Sequence, residues 1–293
     1  MIYTRNDLLK SISHVVIPEG IEKIDNEVFQ DCEMLSSISL PNSLQNIGSG
    51  AFLRCCNLKS ICIPDNVTVI SDSVFAGCTA LETVNFSENI KSVGDAAFDF
   101  CICLKEINLP DSLSGIGDRA FEGCKSLQRV ELPYNLTKLN SFIFAQCSAL
   151  CDVFLPDSLT DIGEFAFLGC VALKTVNIPD SVVNIGREAF KGCSSLQNIK
   201  IPIHITVIKS KTFALCSNLQ EIILPDALKK IEAESFMDCN SLKSIFIPDG
   251  VEKISDGAFL GCPQLKNVSV SSHTSIADNA FASCPFAEIV WRK

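Results

Sequence analysis

Residues 178–201 read IPDSVVNIGREAFKGCSSLQNIKI, and nearly the same sentence is written before and after them. Phe190 has counterparts from Phe29 to Phe259, eleven in all at an unbroken spacing of 23, and a further one at Phe281. A cysteine follows each of these phenylalanines by three residues, from Cys32 to Cys284, and a leucine follows most of the cysteines by three, from Leu35 to Leu265. A fixed period within the range of about 20–50 residues means stacked supersecondary units, none of which buries its apolar face alone.

One repeat can be read outward from Leu127. In Leu127-x-x-Val130-x-Leu132, the residues Val130 and Leu132 point one way and Arg129 and Glu131 the other, the mark of a short half-buried strand. Pro133 ends it, because proline lacks the N–H that a ladder needs. Two inward aliphatics three apart come next, as in Val182 and Ile185, and a turn follows at Gly48, Gly94, Gly117, Gly163 or Gly186. The segment from Gly117 to Cys124 then spaces Ala120, Phe121, Cys124 and Leu127 along one face of an expected short helix, with Asp118 as its N-cap. A helix of about two turns is held only by packing.

Joining parallel strands through a helix every 23 residues predicts a right-handed crossover solenoid, α/β in class. Thirteen strand positions are expected, from His14–Ile17 to Glu288–Trp291. We read residues 1–293 as a single domain of about 12 repeats of 23 residues, with caps near 1–13 and 285–293. Asp7–Lys10 cap one end; Pro285, Phe286 and Trp291 cap the other. A deletion near Ser271–Ser275 shortens the last repeat by a residue.

Composition excludes several function classes. Lys and Arg number 24 against 34 Asp and Glu, a net charge of −10, which argues against nucleic acid and anionic membrane surfaces. No run approaches the ~20 apolar residues of a membrane span. The start, MIYTRNDLLKSISHVVIPEG, lacks the apolar segment of about 7–15 residues found in a signal peptide. A cytoplasmic location is therefore expected, with the cell surface, reached by unconventional export or after removal of a signal, as the alternative. Sixteen cysteines raise disulfides and zinc. Twelve lie on the repeat; the others, Cys56, Cys62, Cys103 and Cys151, form no paired C-x2-C spacing, and only three histidines are present. Reduced, buried thiols behaving as small hydrophobes are expected, with no metal and no cofactor. No nucleophile elbow, P-loop or zincin motif occurs, so no catalytic residue is assigned.

The pattern Leu-x-x-Ile-x-Leu-Pro-x-x-Leu-x-x-Ile-Gly-x-x-Ala-Phe-x-x-Cys resembles the BspA-like class of leucine-rich repeats over residues 12–291. The resemblance implies a curved right-handed leucine-rich-repeat solenoid, its parallel β-sheet on the concave face and short helices on the convex face. It also implies adhesion or protein recognition at bacterial and protozoan surfaces. The asparagine ladder of many leucine-rich repeats is missing here.

Informative residues are those that the repeat does not dictate. Outward strand positions are mostly polar, and Glu106, Arg129 and Asp152 fall on adjacent rungs as an expected ionic row. Against that background stand Tyr134 and Phe154 on neighbouring coils, and Ile203, Ile223 and Phe246 on three consecutive ones. Clustered apolar groups on a solvated sheet mark contact surfaces. These five residues are the candidate protein-binding site of a non-enzymatic scaffold that holds a protein or peptide. The alternative function is a surface adhesin binding host or extracellular-matrix protein. Phe142 and Phe165 share an off-pattern place in adjacent coils and point to a weak homo-oligomer contact.

Overall fold

The computed structural model describes residues 1–4 and 11–292, so the expected cap Asp7–Lys10 lies outside the described residues. Two compact units, Met1–Pro156 and Asp157–Lys293, are each a stack of parallel coils. The chain is thus a right-handed parallel-strand solenoid of about twelve turns.

Alternating apolar and polar residues build the first strand ladder. In the N-terminal unit it runs from His14–Val16 to Arg129–Glu131 and Asp152–Phe154; in the C-terminal unit, from Asn198–Lys200 to Glu288–Arg292. Pairing is parallel and one repeat apart, with Glu106 opposite Arg129 and Arg129 opposite Asp152. Val130 and Leu132 are buried, while Arg129 and Glu131 are exposed. Twelve of the thirteen expected strands form; residues 175–177 keep the alternation, with Val176 buried, but form no strand. The proline after the strand has a second use: its carbonyl accepts an N–H three residues on, as Pro133 does from Leu136 at 3.1 Å, closing a turn.

The inward aliphatics that follow belong to a second parallel ladder of two-residue strands, such as Val69–Ile70, Ser92–Val93 and Gly115–Ile116. Such strands are too short to show a period in sequence.

The expected convex helices do not form: no α-helix occurs among the described residues. The residues two before and two after the core phenylalanine adopt positive φ, for example Glu27 (57°) and Asp31 (60°) around Phe29. Left-handed backbone at both places breaks the i→i−4 bonding of a helix, at a cost of roughly 1–2 kcal/mol for a non-glycine residue. Alternate N–H groups instead reach the next coil: Glu27 to Ser49 O (3.0 Å), Phe29 to Ala51 O (2.8 Å) and Asp31 to Leu53 O (2.9 Å). The N–H of Gln30 between them closes a local turn on Glu27 O at 3.1 Å, as that of Cys32 beyond them does on Phe29 O at 3.0 Å. Asp118 accordingly caps no helix; its carboxylate accepts the Ser141 N–H of the following coil at 2.9 Å.

Inside these three ladders the phenylalanines stack. In the N-terminal unit the column runs from Phe29 to Phe144, and Tyr3 continues it past Phe29 with ring centroids 5.8 Å apart. In the C-terminal unit it runs from Phe167 to Phe281. Phe52 and Phe75 are 5.4 Å apart at 3°, the offset parallel geometry that aromatic quadrupoles favour. Beside the rings, cysteines of the repeat donate their thiols to the phenylalanine carbonyl of the preceding coil: Cys55 to Phe29 (3.0 Å), Cys124 to Phe98 (3.2 Å), Cys239 to Phe213 (3.2 Å). Burial pushes Cys193 up to about 12 and raises Cys101, Cys124 and Cys216 strongly. Cys284, at the end of the column, is only half-buried, and the neighbouring Cys262 thiol holds it below the ordinary thiol range.

At the C-terminal end the strand Glu288–Arg292 pairs along five residues with Asn267–Ser271, Trp291 in register with buried Val270, while the side chains of Phe286 and Trp291 are exposed. Arg292 fixes the strand by donating to Ser269 Oγ (3.1 Å), Asp249 Oδ1 (2.7 Å) and Ile247 O.

Two glycines test the packing. A Cβ at Gly117 would meet backbone atoms of Asp95 and Gly94 at 2.5 and 2.6 Å, whereas one at Gly115 meets nothing within 4 Å. Gly117→Ala should lose about 1–3 kcal/mol in urea unfolding, and Gly115→Ala should be neutral or stabilising. Iodoacetamide on the folded protein should modify exposed Cys62 and, at a lower pH than an ordinary thiol requires, half-buried Cys284. Buried ladder thiols such as Cys124 should react only after unfolding, read by peptide mass spectrometry.

Candidate functional site

All five candidate residues project from the first ladder or from the turn just after it, because outward alternation leaves them no core to join. In the N-terminal unit Tyr134 is 63% and Phe154 49% exposed. Phe154 lies in register with Glu131, and the Arg129 guanidinium sits 4.6 Å over its ring. Tyr134 borders a groove of about 370 Å³ that Glu106, Asp111, Arg129 and Glu131 also line.

In the C-terminal unit Ile203, Ile223 and Phe246 are 50%, 53% and 57% exposed. Ile223 lies in register with Lys200, which donates to Asp180 Oδ2 at 3.4 Å; the same carboxylate accepts the Ile203 N–H at 3.4 Å. Phe246 carries the Arg292 guanidinium 3.9 Å over its ring. Phe154 and Phe246 thus each have one face covered by arginine and an apolar remainder open to solvent. That pairing went unread in the sequence, since Arg129 and Arg292 lie 25 and 46 residues from the rings they cover.

Other expectations resolve differently. Glu106, Arg129 and Asp152 do lie on adjacent rungs, but Arg129 pairs with Glu131 at 3.5 Å and with the Phe154 ring, so no ionic row forms. Phe142 and Phe165 adopt positive φ and are half-buried, with Arg119 4.2 Å from the first ring and Arg187 5.7 Å from the second. Cys62 is exposed, as its outward position requires. His14, also outward, meets Ser37 Oγ at 2.7 Å through Nδ1.

Among the described residues no group of three or more His, Cys, Asp or Glu is placed to hold a metal ion, and no helix is long and apolar enough to cross a membrane. Burial beside Glu122 pushes the Asp99 carboxyl up to about 6. Asp99 follows the core residue Phe98 in sequence and does not line the strand-face groove.

The profile of the BspA type Leucine rich repeat region matches residues 7–101, 80–197 and 183–293. No curated protein matches. Among solved structures, a leucine-rich repeat protein from Bacteroides ovatus is 28% identical over 96% of this chain and 92% of its own, with a TM-score of 0.58. A leucine rich cell surface protein from Faecalibacterium prausnitzii is also 28% identical, over 100% and 90%, with a TM-score of 0.53. The pneumococcal vaccine antigen PcpA shares the fold at 20% identity, over 99% and 80%, with a TM-score of 0.59. With its period, its ladders and its matched profile in agreement, this chain belongs to the BspA type leucine-rich repeat family.

Proposed function

We propose that this protein is a non-enzymatic scaffold whose first-ladder face holds a protein or peptide ligand. One observation carries the reading: Tyr134 and Phe154 in one unit, and Ile203, Ile223 and Phe246 in the other, stand about half or more exposed on first-ladder strands or the turns just after them, where the remaining outward residues are mostly polar. Large side chains there add nothing to the core, and aromatic anchors dominate the energetics of protein contacts. A core of reduced, hydrogen-bonded thiols suits a reducing compartment.

A second reading, a surface adhesin for host or extracellular-matrix protein, is favoured by the cell surface relative from Faecalibacterium prausnitzii. Surface labelling of intact cells separates the two locations. Under either reading, a weak contact between copies through Phe142 and Phe165 is read by analytical ultracentrifugation.

The double variant Phe154→Ser/Phe246→Ser should unfold within about 1 kcal/mol of the parent, as exposed substitutions do. It should bind the ligand about 30-fold more weakly, the equivalent of about 2 kcal/mol at an interface anchor. The readout is quantitative capture from lysate by parent and variant side by side. Equal capture by a folded variant contradicts the reading.

A further inference from the structure

The ligand's chemistry is legible in the N-terminal unit. That unit holds eleven Lys and Arg against nineteen Asp and Glu. Asp65, Glu88 and Asp111 take the place just after the strand on consecutive coils, behind Pro64, Ser87 and Pro110, and all three are exposed. Among the described residues no ion pair engages any of the three, and Arg129, which lines the groove beside Asp111, is taken by Glu131. The row leads to the groove of about 370 Å³, where Asp111 meets Glu106, Glu131 and the exposed Tyr134 ring. The same rungs already show how a guanidinium is held: Arg129 places its own between the Glu131 carboxylate at 3.5 Å and the Phe154 ring at 4.6 Å. Tyr134 and Asp111 present the same two kinds of group, ring and carboxylate, in the same groove, and the Arg129 that also lines it is already engaged by Glu131 and the Phe154 ring.

We infer that this groove seats an arginine or lysine side chain of a basic segment in a partner polypeptide, with Asp65 and Glu88 steering the basic residues that flank it. The inference rests on the strand-face binding reading and specifies its partner. Carboxylates neutralise the cation, the Tyr134 ring attracts it through its π face, and the open row raises the association rate at low salt.

The test uses the whole protein and a fluorescent oligoarginine peptide, read by anisotropy at low and physiological salt, with oligoglutamate of equal length as control. Oligoarginine should bind and oligoglutamate should not. Asp65→Asn/Glu88→Gln/Asp111→Asn should weaken binding by about tenfold or more. Asp72→Asn/Asp95→Asn/Asp118→Asn removes the same charge while keeping the oxygens that accept backbone N–H groups on the second-ladder side, and should leave binding within about twofold. Tyr134→Phe should bind like the parent, and Tyr134→Ala should lose about fivefold or more. Equal losses from both triple variants would reduce the effect to net charge and overturn the inference, as would failure of oligoarginine to bind. If that failure occurs while Phe154/Phe246-dependent capture persists, the scaffold reading stands and the basic partner alone is wrong.

Discussion

Everything in this chain depends on one coil bonding to the next at the core phenylalanine. Its ring stacks on the rings above and below, and its carbonyl accepts two donors, the N–H of its own cysteine and the thiol of the following coil's. A stacked aromatic pair adds about 0.5–1.5 kcal/mol beyond simple burial, and the contact repeats along each unit. The thiol is a weak donor, yet it fills apolar space that a hydroxyl would not and still satisfies a buried carbonyl. The same bond that holds the coils thus explains why so many cysteines sit in the core without pairing.

This arrangement divides the residues into two populations. Those at repeat positions are committed to neighbouring coils, and a change there is felt as lost stability. Those facing outward from the first ladder bear almost no structural load, so their identity is free to follow a ligand. Tyr134, Phe154, Ile203, Ile223 and Phe246 occupy that second population. Arg129 and Arg292 tie two of the rings down, which lowers the entropy lost when a partner orders them.

Much of this was legible in the sequence, because periodicity and alternation are the same constraints that the coordinates obey. Val130 inside and Glu131 outside follow from spacing alone. The helix was misread for a physical reason: Ala120, Phe121 and Cys124 have helical spacing, but spacing does not report the sign of φ. A signal was present in the glycines. Gly50 and Gly257 before the phenylalanine, and Gly77, Gly123 and Gly169 after it, recur where other coils hold Glu27 or Asp31 in left-handed backbone. The second ladder escaped because two-residue strands carry no alternation, and the arginine–ring contacts because side-chain direction across coils is not a property of spacing.

Hydrogen exchange at the phenylalanine segments tests the central claim most directly. If the coils are joined on that side by backbone bonds, the amides of Phe98 and Phe121, bound to Ala120 O and Ile143 O at 2.8 and 3.0 Å, should exchange as slowly as that of Val130 in the first ladder. Rapid exchange at Phe98 and Phe121, with protection confined to the strands, would contradict the account.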